Sequence, residues 1–133
     1  NVLTNAPESV IIGLGGGKMN ILPNADKSII PTEKFTQYAL NPLKEPNKAI
    51  AFERALGYNK NNADELISNI REHLSLFKVV EKGDKGFGMQ YEVVLNLLGA
   101  NNKKANVLTG WIIDNQTNEP RLTTAYVTKK KVL

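Results

Sequence analysis

The chain has 133 residues, enough for one hydrophobic core and too few for two domains of ordinary size. Its 17 Lys and Arg against 13 Asp and Glu give a net charge of +4, a modest excess that favours acidic partners. No cysteine is present, which excludes disulfide scaffolds, thiol nucleophiles and thiolate metal sites, and no apolar run approaches the length of a membrane span.

Residues 1 to 30 mix short apolar runs with a glycine cluster and keep no sustained period, so they read as a linker or loosely packed arm ahead of a domain over residues 31 to 133. Within them, "GLGGGK" fails as a phosphate loop: Ile12 stands where the motif needs its first Gly, and Met19 where it needs Ser or Thr. Asn1 in place of Met, with no signal-peptide pattern after it, suggests a piece cut from a longer chain.

Three helices are expected next. Thr32 is a usable N-cap for a first helix with Phe35, Tyr38 and Ala39 on one side, closed by Asn41-Pro42. A second starts near Pro46, runs through Ala49, Phe52, Ala55 and Leu56, and stops at Gly57. A third is capped by Asn62, carries Asp64 and Glu65 in its first turn, and shows an apolar stripe of Leu66, Ile70, Leu74 and Phe77.

After Phe77 the period falls to two. "FKVVEK", "FGMQYEVVLNLL", "KANVLTGWIID" and "PRLTTAYVTK" are strand-like and are separated by "GDKG", "GANNK" and "NQTNE". Short connections require antiparallel neighbours, so the expected fold is α+β, with N-terminal helices packed on a four-stranded antiparallel meander. If the last hairpin pairs Ile113 with Pro120, then Thr109 faces Thr124, Trp111 faces Leu122 and Val107 faces Tyr126. These six would form an open face, while Leu108, Ile112, Ala125 and Val127 receive the helices; a slip of one residue exchanges the two faces.

Such an open face would offer hydroxyls and Arg121 to phosphate oxygens, and aromatic rings to unpaired bases, with Lys129, Lys130 and Lys131 at the strand exit. A Thr–Thr cross-strand pair and a solvated lysine tail explain the same residues without function. His73 is the sole histidine, so acid–base chemistry with paired imidazoles is excluded; it either acts alone or edges the core. Lys48 lies in the first turn of the second helix above Phe52, a place for a snorkelling lysine or a site cation. Acidic residues fall in no metal-ligand spacing with His73, and no cofactor motif appears.

The ordered segments "YALNP", "NKAIAFERALGY", "NADELISNIREHL", "GFGMQYEV", "VLTGWIID" and "EPRLTTAYV" resemble, over about residues 31 to 128, a C-terminal toxin domain of bacterial polymorphic toxins and contact-dependent growth-inhibition (CdiA-type) effectors. The resemblance implies a fold like the barnase, EndoU, colicin and RelE group and a metal-independent ribonuclease that cleaves tRNA in the cytoplasm of a target bacterium. It also implies a cognate immunity protein and leaves room for a host factor such as an elongation factor. The positions it carries over are Lys48, Tyr91, Thr109, Trp111, Arg121, Thr124 and Tyr126. Val127 stands where relatives commonly have Pro after "TAY", and "LKEPN" replaces a glycine-rich loop, which bears on local loop shape and on substrate. A non-catalytic RNA- or protein-binding module, or a DNA-cleaving toxin, is the alternative.

Overall fold

The computed structural model describes residues 20 to 133, so the "GLGGGK" stretch and the rest of the first 19 residues lie outside it. The expected α+β architecture is present. A π-helical segment, Lys34–Ala39, and two α-helices, α1 (Pro46–Leu56) and α2 (Ala63–His73), precede β1 (Val79–Asp84), β2 (Met89–Leu98), β3 (Lys104–Ile113) and β4 (Pro120–Thr128). The strands form one antiparallel sheet in the order β1-β2-β3-β4, a plain meander.

Helix α1 follows from local signals. Pro46 occupies its first turn, and Gly57 ends it at φ 73°, where its N–H bonds Glu53 O and the Tyr58 N–H bonds Phe52 O. Ala49, Phe52 and Leu56 face inward, and Phe52 meets Phe35 edge-to-face with centroids 6.4 Å apart. In α2 the buried stripe is Ala63, Leu66 and Ile70, continued by Leu74. Asn62 does not cap α2 with its side chain: its Oδ1 accepts from Asn59 N and its Nδ2 donates to Gly57 O, so it closes the turn before the helix.

The segment before Pro42 departs from the expected α-helix. The Thr32 carbonyl, not its side chain, receives the first N–H groups, and Leu40 N bonds Phe35 O in a wide five-residue turn. That turn buries Phe35, Ala39 and Leu40 together and leaves Tyr38 half exposed, although its spacing had grouped it with Phe35.

Residues 20 to 30 belong to the packed domain and are not a loose arm. Leu22 and Ile30 are buried, Ile29 N donates to Pro120 O and Leu122 N to Ile29 O, and Val79 N donates to Asn20 O. Arg71 on α2 adds a 2.7 Å bond to Ser28 O. The segment runs through a tight turn and a single 3-10 turn, Ala25–Lys27, and reaches both outer strands; such a path leaves no helical or alternating period in the sequence.

In the last hairpin the register begins as expected, with Ile113 opposite Pro120 and Trp111 opposite Leu122. It then slips: Gly110 pairs with Thr124, Thr109 with Ala125, Leu108 with Tyr126 and Val107 with Val127. Thr123 is the extra residue of a β-bulge. The expected Thr109–Thr124 and Val107–Tyr126 pairs therefore do not form.

The faces are exchanged on β3 and at Leu122, while beyond the bulge Ala125 and Val127 keep the expected helix-covered face. Val107, Thr109, Trp111 and Leu122 are buried, and Val107, Trp111 and Leu122 share one core with Phe35, Phe52, Leu66, Ile70, Val93, Leu95 and Ala125. This is the helix-covered face. Trp111 settles the choice physically: it is the largest buried side chain, and its indole finds a polar partner there at Thr109. Over the opposite face the C-terminal segment turns back, with Asn106 Nδ2 donating to Lys130 O at 2.9 Å and Lys130 Nζ pairing with Glu92 at 3.1 Å.

Candidate functional site

A cleft of about 230 Å³ opens where the π-helical segment and the start of α1 meet β4, lined by Lys34, Tyr38, Glu45, Lys48, Thr123 and Thr124 with Ala39, Leu122 and Ala125 behind them. Its position follows from three local features. The wide turn before Pro42 swings Tyr38 outward, Pro46 starts α1 so that Lys48 projects from the first turn, and the bulge presents two consecutive threonines. Gly110 makes room for the bulge: a side-chain carbon there would stand 2.9 Å from Thr124 Cγ2 and 3.1 Å from Thr123 Oγ1.

β4 is the edge strand of the sheet. Among the described residues its outer backbone is paired only at Pro120 and Leu122, by Ile29, so the bulge beyond Leu122 lies along an open edge. Lys48 Nζ sits 5.4 Å from the centre of the Tyr126 ring and 3.9 Å from Glu45 Oε1, one turn earlier on the same side of the chain. Two ammonium groups, a carboxylate, the Tyr38 phenol and two hydroxyls thus line one polar recess, with the Tyr126 ring beside it under Lys48. Together they can bind an anion and exchange a proton with it.

Of the residues singled out from the sequence, the fold gathers Lys48, Thr124 and Tyr126. Thr109 and Trp111 are kept apart from solvent: Trp111 Nε1 donates to Thr109 Oγ1 at 2.8 Å, and Thr109 Oγ1 donates to Val93 O at 2.8 Å. Both side chains spend their polar atoms on the core. Arg121 is exposed nearer the start of β4, across from Ile112, outside the cleft lining.

His73 lies in a different recess, with Tyr58, Asp64, Glu65, Asn69 and Glu72, and its Nδ1 is 2.7 Å from Asn69 O. Tyr91 on β2 pairs with Trp111; loss of solvent, and secondarily the Glu81 carboxylate, raise its hydroxyl pKa above 10.0. Lys130 is tied to Glu92, while Lys129 and Lys131 are exposed. Among the described residues, no three His, Cys, Asp or Glu side chains gather closely enough to hold a metal ion.

Sequence reasoning missed Lys34, Tyr38, Glu45 and Thr123. Gly110 inside a β-favouring run was the available sign of the bulge, and Glu45 three residues before Lys48 was the sign of a paired ammonium.

Residues 21 to 129 match the family model described as Domain of unknown function (DUF6883), and the chain belongs to that family. The match begins at the packed segment that opens the described structure. No curated protein and no solved structure matches the chain.

Proposed function

We propose that this chain is an RNA-cleaving domain that acts at the β4-edge cleft without a metal ion, with tRNA as its substrate. The observation that carries the reading is Lys48 held over Tyr126 and beside Glu45, in a recess whose other side is the Thr123–Thr124 bulge. Phosphodiester transfer needs a base, a charge-stabilising donor set and an acid; Glu45, Lys48 and the threonines line the recess, and the Tyr126 phenol adjoins it beside Lys48.

In this reading Glu45 takes the proton of the ribose 2′-hydroxyl. The 2′-oxygen attacks phosphorus while the bond to the 5′-oxygen breaks, and the leaving oxygen takes a proton from the Tyr126 hydroxyl. Lys48 and the two threonine hydroxyls hold the extra charge on the phosphorane. The products are a 2′,3′-cyclic phosphate and a free 5′-hydroxyl. Lys34 supplies a second cation to the flanking phosphate, and Tyr38 a ring for a neighbouring base.

The resemblance of the ordered segments to polymorphic-toxin domains is what supports placing this activity in the cytoplasm of a target bacterium. On that reading an immunity protein is the cognate inhibitor and an elongation factor a candidate activator. A second reading is favoured by one observation: the sole imidazole, His73, lies in another recess, which suits a domain that binds RNA and leaves it intact.

Incubating the protein with total bacterial tRNA in chelator, with and without elongation factors, separates the two. Discrete fragments ending in cyclic phosphate support the nuclease. Binding without turnover by the folded protein supports the binding module, and strict dependence on a divalent ion overturns the metal-free mechanism.

A further inference from the structure

The β1–β2 hairpin ends in Lys85-Gly86-Phe87-Gly88, and Phe87 is 79% exposed there. The backbone beneath it is braced. Asp84 Oδ1 accepts the Gly86 N–H at 2.8 Å and the Gly88 N–H at 3.3 Å, and both glycines have positive φ, 106° and 129°. Gly88 packs against the end of β3, where a side-chain carbon would collide with the Ile113 carbonyl. A braced tip therefore holds a bare aromatic ring in water, where its apolar surface is unfavourably hydrated.

The surroundings of the ring select a ligand. Lys82, the unpaired residue of the β1 bulge between Glu81 and Gly83, and Lys85 are both exposed. Of the acidic neighbours, Asp84 and Asp114 turn a carboxylate oxygen to backbone amides, those of the tip and of Gln116, and Glu81 is exposed beside Lys82. Gln90, Ile112 and Arg121 form the second cross-strand row behind the tip, so the exposed Arg121 stands along β4 between its start and the bulge. Two strand spacings separate β2 from β4, about 10 Å, and the path from Arg121 to Thr124 adds about 10 Å more.

We propose that the hairpin tip is a second RNA contact, at which an unpaired base stacks on Phe87 while Lys82, Lys85 and Arg121 follow the phosphates toward the cleft. The inference rests on the reading of RNA as substrate and narrows it. Stacking on an isolated ring requires a base free of its pair, so the substrate is a single-stranded loop or tail long enough to reach from the cleft to the tip, and a duplex is a poor ligand.

The test is binding of a non-cleavable single-stranded 2′-O-methyl oligonucleotide and of a duplex of equal length to the wild-type chain, Phe87→Ala, Phe87→Trp and the Lys82→Ala/Lys85→Ala double variant, with cleavage of a dinucleotide as control. Phe87→Ala weakens single-strand binding about five-fold or more, and Phe87→Trp retains it. The lysine variant lowers the salt dependence of binding. Dinucleotide cleavage is unchanged, because a dinucleotide cannot span from cleft to tip. Single-strand binding equal to wild type in Phe87→Ala, with dinucleotide cleavage intact, overturns the tip as an RNA contact and leaves the cleft standing; a tip that serves a protein partner gives that result. A wild-type chain that binds neither RNA overturns both.

Discussion

Thr109-Gly110-Trp111 on β3 and Thr124-Ala125-Tyr126 on β4 are the same pattern on neighbouring strands: a threonine, a small residue and an aromatic ring. The first is sealed in the core, its hydroxyl and indole bonded to each other and to Val93 O. The second borders an open cleft, with Lys48 over its ring. The one-residue bulge at Thr123 separates them. Without it Thr124 would face Thr109 and share its burial; with it, Thr124 pairs with Gly110. Residue type alone does not distinguish a structural hydroxyl from one available to a ligand. The register of the strand decides.

The contrast is broken most readily at the rings. Trp111→Ala costs about 3 to 5 kcal/mol of stability by denaturant unfolding. Tyr126→Ala leaves the midpoint nearly unchanged and abolishes tRNA cleavage. Equal loss of stability in both variants would place Tyr126 in the core as well. Next, Lys48→Ala lowers the single-turnover cleavage rate by about 10²- to 10³-fold with the melting curve preserved; an unchanged rate would remove Lys48 from the chemistry.

The threonines give smaller effects of opposite kind. Thr109→Val strands the Trp111 N–H in the core and costs about 1 to 3 kcal/mol. Thr124→Val changes stability by less than about 0.5 kcal/mol and slows cleavage about ten-fold. The smallest effect is alkaline. Tyr91 ionises at higher pH in the folded chain than in the unfolded one, because burial, and then Glu81, disfavour the phenolate. Its contribution to stability is therefore fully present below about pH 10 and is lost as pH rises through the raised folded value. Ultraviolet titration of the wild type against Tyr91→Phe shows one late-ionising tyrosine missing from the variant; identical titrations would contradict it.

Much of the fold was legible because its signals are local. Pro46 and Gly57 bound α1, the spacing of Leu66, Ile70 and Leu74 marks α2, and alternation with turn-forming gaps gives four strands in meander order. Residues 20 to 30 were not legible, since Leu22, Ile29 and Ile30 dock through an irregular path of turns that has no period. The site was half legible. Lys48, Thr124 and Tyr126 were marked by side-chain chemistry and by resemblance, but their assembly depends on a bulge that adds one residue without altering composition. Thr109 and Trp111 were marked by the same reasoning, and the bulge left them inside.

The proposal that RNA is held at the β4-edge cleft is open to amide chemical-shift mapping with a non-cleavable 2′-O-methyl oligonucleotide. The predicted shifts cluster at Lys34, Glu45, Lys48 and Thr123 to Tyr126, with a second group at Gly86 to Gly88. Shifts confined to the recess of Asp64, Glu72 and His73, with the bulge unmoved, would contradict it.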